Sequence, residues 1–142
     1  MPYTKLRYHL VFATKYRAPL IAPEVEDFLY PVLGKAAKNA EGRTLCIGGI
    51  EDQVHLICAI PPHIAVGEFT RTLKSQSTAA LRGKFPYLRN FSWQVGYGGF
   101  TLKPGGLSKI LAYVKNQRRH HQHGNLLEKY EKTADLSPAL KT

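Results

Sequence analysis

Thr44-Leu45-Cys46-Ile47-Gly48-Gly49-Ile50-Glu51-Asp52-Gln53-Val54-His55-Leu56-Ile57-Cys58-Ala59-Ile60 holds two apolar runs on either side of an acidic dipeptide. Short apolar runs bounded by turn residues read as strands. Strands are therefore predicted at 44–50 and 53–60, with a tight turn at Glu51-Asp52, and Pro61-Pro62 stops the second. Working outward, Pro23 opens a helical pattern in which Val25, Phe28, Leu29, Val32, Leu33, Ala36, Ala37 and Ala40 recur at helical spacing. Pro31 falls inside it and predicts a kink or break, and Gly42 ends it. Before that, Leu6, Tyr8, Leu10 and Phe12 alternate in a strand predicted over 3–13.

Downstream of the hairpin, Val66, Phe69, Leu73, Ala80 and Leu81 form the apolar stripe of a helix predicted over 66–84, with Arg71, Lys74, Arg82 and Lys84 on its other face. Trp93, Val95, Tyr97, Phe100 and Leu102, interleaved with Gly96, Gly98 and Gly99, predict a bulged or bent strand within 92–103. Pro104-Gly105-Gly106 breaks it, and a last helix is predicted over 107–121. The order strand, helix, strand, strand, helix, strand is the split βαβ pattern of ferredoxin-like α+β folds, an antiparallel sheet with helices on one face. The C-terminal helix is an addition to that plan. One domain is expected at 1–124, followed by a polar tail at 125–142.

Lysine and arginine number 20 against 10 aspartates and glutamates, a formal net charge of +10 on 142 residues. So basic a small domain points to a polyanion, nucleic acid or a membrane surface. Plain solubility is the bland alternative. No apolar run reaches spanning length and no secretion signal opens the chain, so a cytoplasmic protein that does not enter membranes is expected. Cys46 and Cys58 sit in apolar runs and read as core residues, not as a disulfide framework.

Two segments carry chemistry. In the third strand Gln53 and His55 share one face while Val54 and Leu56 share the other, because side chains alternate. Such a polar pair suits a cation; equally, it can be a strand-edge histidine capped by hydrogen bonds. In the last helix Tyr113, Gln117 and His120 share a face, Ile110 and Val114 line an adjacent apolar stripe, and Lys115, Arg118 and Arg119 surround them. This too has a bland reading, a buried tyrosine beside a solvated basic face. The cluster His120, His121 and His123 has no Cys-x-x-Cys partner, which argues against zinc.

Taken together, several pieces resemble a known family. They are Tyr8-His9-Leu10-Val11-Phe12-Ala13-Thr14-Lys15-Tyr16-Arg17, Asp52-Gln53-Val54-His55-Leu56, Leu73-Lys74-Ser75, Trp93-Gln94-Val95-Gly96-Tyr97, and Tyr113-Val114-Lys115-Asn116-Gln117 with His120-His121. In this order, over 3–123, they resemble the single-tyrosine HUH transposases of the insertion-sequence-200 type and the REP-associated tyrosine transposases.

The resemblance implies a DNA transposase that cuts and rejoins single strands through a 5′-phosphotyrosine. It casts Tyr113 as nucleophile and His55 and Gln117 as ligands of a divalent metal. Gln53 stands where the family has the first histidine of its pair. An amide oxygen suits Mg²⁺ or Mn²⁺ better than a softer ion. The substitution leaves an alternative open, a catalytically impaired or non-enzymatic single-strand nucleic-acid-binding module. The resemblance further implies hairpin DNA as substrate, and a homodimer in which one subunit's tyrosine helix can complete the other's metal site. Lys5, Arg7, Lys15, Arg17, Arg71, Lys74, Arg82, Lys115, Arg118 and Arg119 are candidate phosphate contacts. His120 is a candidate near the nucleophile. Tyr16, Tyr87, Trp93 and Tyr97 are candidates for base stacking, Trp93 being also a candidate core residue.

Overall fold

A computed structural model describes residues 4–116. Gln117, Arg118, Arg119, His120 and the tail at 125–142 lie outside the described residues. Among those described, the elements run β1 (Arg7–Ala13), α1 (Pro23–Asn39), β2 (Arg43–Ile50), β3 (Gln53–Ala59), α2 (Val66–Lys84), β4 (Gly98–Thr101) and α3 (Leu107–Lys115). The sheet order is β2-β3-β1-β4, antiparallel throughout, which is the expected ferredoxin-like arrangement. None of the described helices is long and apolar enough to cross a membrane.

Strand alternation divides the molecule into two layers. Leu10, Phe12, Val54, Leu56 and Cys58 turn to one face, where they meet Val25, Leu29 and Leu33 of α1 and Phe69, Leu73 and Leu81 of α2 in the main core. Burying side chains of this size stabilises the fold by about 1.5–3 kcal/mol each. Ile57 turns to the other face and packs with Ile110, Tyr113 and Val114 of α3 in a second, smaller cluster. The added helix therefore covers the sheet face opposite α1 and α2.

Pro23 at the first turn of α1, with Glu24 and Glu26 beside it, starts that helix favourably. The helix does not break at Pro31. That residue is exposed, as is Asp27 one turn back, so the carbonyl that loses its amide partner is open to water. At the C-terminus Glu41, not Gly42, takes the left-handed conformation, φ 68°. The Glu41 and Gly42 amides donate to Lys38 O (3.0 Å) and Ala37 O (2.9 Å), a Schellman pair. Gly42 is needed for a different reason: a Cβ there would lie 2.6 Å from Ala59 O and from the Phe69 ring.

The predicted strand within 92–103 is corrected. Only Gly98–Thr101 pairs as β4; Trp93 makes an isolated bridge to Thr14, and Gly96 turns the chain at φ 90°. Trp93 is a core residue. Its ring meets Phe12 and Phe91 edge-on at 4.7 and 4.9 Å, and its Nε1 donates to Ser77 Oγ at 2.9 Å. That bond explains why Ser77 is buried on α2, where the predicted stripe placed only apolar residues.

Candidate functional site

The sheet face under α3 gathers the polar residues that the main core excludes. His55 lies opposite Val11 on one side and Gly48 on the other; Gln53 lies opposite Ala13 and Ile50. Gln53 and His55 are both buried, so the face they share is an interior surface. His9, two residues before Val11 on β1, belongs to the same face. Its Nε2 is 2.9 Å from His55 Nδ1, and the pair is buried. Phe100, opposite His9 on β4, closes the edge with its ring 6.5 Å away.

Sequence reasoning quoted His9 but gave it no part in the site. Two positions 46 residues apart meet only through the register of β1 on β3. A histidine whose Nδ1 is engaged presents Nε2 to a ligand, the arrangement that orients metal-binding imidazoles.

Gly48 decides how close α3 can come. A Cβ there would sit 1.8 Å from Val114 O, so only glycine lets the helix settle against the strand next to His55. Ile110, Tyr113 and Val114 are the buried residues of α3, as the apolar stripe predicts for Ile110 and Val114. Tyr113 is 3% exposed and packs with Ile57, two residues along β3 from His55. The predicted nucleophile and two of its predicted companions, Gln53 and His55, therefore occupy one layer of the molecule. The third, Gln117, falls one residue past the described chain.

Gln53 offers an amide oxygen and His55 an imidazole nitrogen. This neutral, mixed oxygen and nitrogen set fits a hard divalent ion with further water or phosphate ligands. Among the described residues no three His, Cys, Asp or Glu side chains are grouped to hold a metal. Cys46 and Cys58 are free thiols. Burial pushes Cys58 up to about 12 and raises Cys46 despite nearby Lys115, so neither serves as a thiolate.

The candidate DNA-contacting residues fall on separate surfaces. Lys5 and Arg7 line a cleft at the start of β1, the end of the sheet away from Gln53. Arg71, Lys74 and Arg82 border a large groove between α2 and residues 92–97, with Trp93 and Tyr97. Within it Lys74 Nζ donates to Gln94 O at 2.8 Å and to Gly96 O, and burial lowers its pKa to about 8. Lys74 thus ties down the loop beside the groove, while Arg71 is exposed. Lys15 and Arg17 flank Tyr16 in a 3₁₀ turn just past β1. Arg17 Nε is paired with Asp52 Oδ2 at 3.0 Å. Lys115 is exposed at the end of α3. Of the stacking candidates Tyr16 and Tyr87 are exposed, Tyr97 is half-buried and Trp93 is buried.

Residues 2–117 match the family model described as "Transposase IS200 like". The chain is 30% identical over 126 residues to the transposase for insertion sequence element IS200 of Salmonella typhimurium, covering 85% of this chain and 82% of that protein. It is 26% identical over 118 residues to the ISDra2 transposase TnpA of Deinococcus radiodurans, covering 80% and 84%. A crystal structure of a protein from Deinococcus radiodurans superposes with a TM-score of 0.69 at 29% identity, over 82% of this chain and 93% of that one. The REP-associated tyrosine transposase bound to a REP hairpin shares the fold, with a TM-score of 0.63 at 16% identity over 89% and 73%.

Proposed function

This chain belongs to the IS200-like transposase family, and from that premise we propose that it cuts and rejoins single-stranded DNA with Tyr113 as nucleophile. The observation that carries the reading is the placement of Tyr113 on the sheet face that holds Gln53 and His55. The phenol oxygen forms a bond to phosphorus, the bond from phosphorus to the 3′-oxygen breaks, and the products are a 5′-phosphotyrosine and a 3′-hydroxyl. A second 3′-hydroxyl reverses the step, so rejoining needs no outside energy source. Gln53, His55 and Gln117 would hold Mg²⁺ or Mn²⁺, which supplies charge neutralisation at the non-bridging phosphate oxygens. His9 orients His55.

Tyr113 is closed to a DNA strand where it stands, at 3% exposure. Reaction requires α3 to shift, and exchange of α3 between the subunits of a homodimer provides such a shift. DNA with a hairpin, as in the neighbour bound to a REP hairpin, is the proposed substrate. Lys5, Arg7, Lys15, Arg17, Arg71, Arg82, Lys115, Arg118 and Arg119 remain the proposed phosphate contacts, while Lys74 is engaged with the Gln94 and Gly96 carbonyls instead.

The test is a covalent-adduct assay on single-stranded oligonucleotides with Mn²⁺. A tyrosine-linked product that is absent in Tyr113→Phe supports the reading. A second reading is a binding module without chemistry, favoured by glutamine at position 53, where the resemblance puts the family's first histidine. Retained DNA binding with no adduct selects that module.

A further inference from the structure

Tyr16 and Arg17 are consecutive non-glycine residues with left-handed backbone, φ 61° and 55°. Side chains rarely adopt this conformation, and a pair of them persists only when the surroundings enforce it. Here they do. Lys15 N donates to Ser92 O at 3.1 Å, Tyr16 N to Gln94 Oε1 at 3.1 Å and Arg17 N to Thr14 O at 2.9 Å. The Arg17–Asp52 pair fixes the far side. The outcome is a tyrosine held in solvent, 79% exposed, on a braced turn.

A second exposed tyrosine stands nearby. Tyr87, 62% exposed, projects from the 3₁₀ turn Pro86–Leu88, and its hydroxyl donates to Glu24 Oε1 at 3.2 Å. Both rings border one cavity of about 380 Å³, with Lys15, Leu88, Asn90 and Ser92 also lining it. Lys15 Nζ lies 5.4 Å from the Tyr16 ring centroid.

We propose that this cavity binds one unstacked base of single-stranded DNA. The tyrosine rings supply the stacking surface, Asn90 and Ser92 meet the polar base edge, and Lys15 takes the adjoining phosphate. The inference rests on the single-strand reading above and gives it a defined subsite. The lining is mixed, with Ala18, Leu20, Leu88 and Phe91 beside the polar Asn90 and Ser92, and a base, apolar on its faces and polar at its edge, suits it, with Lys15 at the rim for the phosphate. Asp52, which pairs with Arg17, precedes Gln53, and Thr14 N donates to Asp52 O at 3.0 Å. The turn and the candidate catalytic face therefore share one end of the sheet.

The experiment measures binding of the full chain to unstructured oligothymidylate, and to the same strand carrying an abasic site at each position in turn. Tyr16→Ala weakens binding about five- to a hundredfold, the range for loss of one stacked base. The dependence on salt stays unchanged, since no phosphate contact is lost. Tyr16→Trp retains affinity, Tyr87→Ala weakens it, and one abasic position costs the wild type as much as Tyr16→Ala. Strands containing 5-iododeoxyuridine crosslink to Tyr16 or Tyr87.

Tyr16→Gly separates the ring from the backbone. It relieves the left-handed strain, so the melting temperature holds or rises while affinity falls. Wild-type affinity in Tyr16→Ala and Tyr87→Ala overturns the subsite alone, and so does affinity restored by Tyr16→Gly. A wild-type chain that binds no single strand overturns the subsite together with the function it rests on.

Discussion

One proton lies between His9 and His55, and its position decides what His55 can do. When His55 Nδ1 donates to His9 Nε2 across 2.9 Å, the His55 Nε2 lone pair is set for a cation. Replacing His9 by Leu removes the acceptor and leaves His55 free to adopt the other tautomer. Mn²⁺ affinity should fall about 10–100-fold, as for other partners of metal-bound histidines, and Asn should restore part of it. Electron paramagnetic resonance of free Mn²⁺ reads this without any DNA; an unchanged titration in His9→Leu would refute the bracing role. By the same readout Gln53→His should bind Mn²⁺ more tightly, because imidazole is the better base. Lys74 tests burial instead. Its pKa is lowered from 10.5 to about 8 by desolvation. Between these values the unfolded chain keeps a proton that the folded chain has released, so the folded state gains stability as pH rises through the window. Urea midpoints of wild type minus Lys74→Met should therefore grow from about pH 8 to 10.5, and a difference that shrinks would contradict the sign.

At the scale of elements, two glycine-related positions make opposite predictions. Gly48 carries no Cβ because Val114 O would lie 1.8 Å from it. Gly48→Ala must lift the end of α3, at a cost of about 1–3 kcal/mol from overpacking. Since the main core lies on the other face, the chain should still fold, with α3 loosened and Tyr113 more exposed. Near-UV circular dichroism and the urea midpoint together check this; wild-type values of both would show that α3 does not depend on this close approach. Glu41 is the converse case, a left-handed residue at φ 68° with a side chain it does not need there. Its ion pair with His63, at 3.2 Å, is exposed and contributes little. Glu41→Gly should therefore stabilise the fold by about 0.5–1 kcal/mol, read as a raised urea midpoint.

For the whole molecule, periodicity and element order were enough to reveal the sheet with α1 and α2 on one face, and not enough to place α3 on the other or to reveal the site. Helix α2 starts at Val66 and ends at Lys84 as its spacing predicts, and the Glu51-Asp52 turn joins its strands as read. The segment around Trp93 misled because Trp93, Val95 and Tyr97 alternate like a strand. Tertiary bonds from Trp93 to Ser77, and from Lys74 to the carbonyls of Gln94 and Gly96, override that pattern. His9 and Gly48 escaped notice for a related reason. Their importance lies in what faces them, His55 and Val114, and register and helix docking are not written in one chain's spacing. Charge was legible only in total. The +10 excess predicts a polyanion, yet its lysines and arginines spread over several surfaces, so net charge alone does not locate the DNA. Salt dependence does. Each phosphate neutralised on a single strand contributes about 0.7 to the slope of log affinity against log salt. Lys15→Gln and Arg71→Gln, both exposed, should each lower that slope by roughly this amount while leaving melting temperature unchanged. If neither changes the slope, the strand does not run along those two surfaces, and the same measurement on Lys5, Arg7 and exposed Lys115 is the next step.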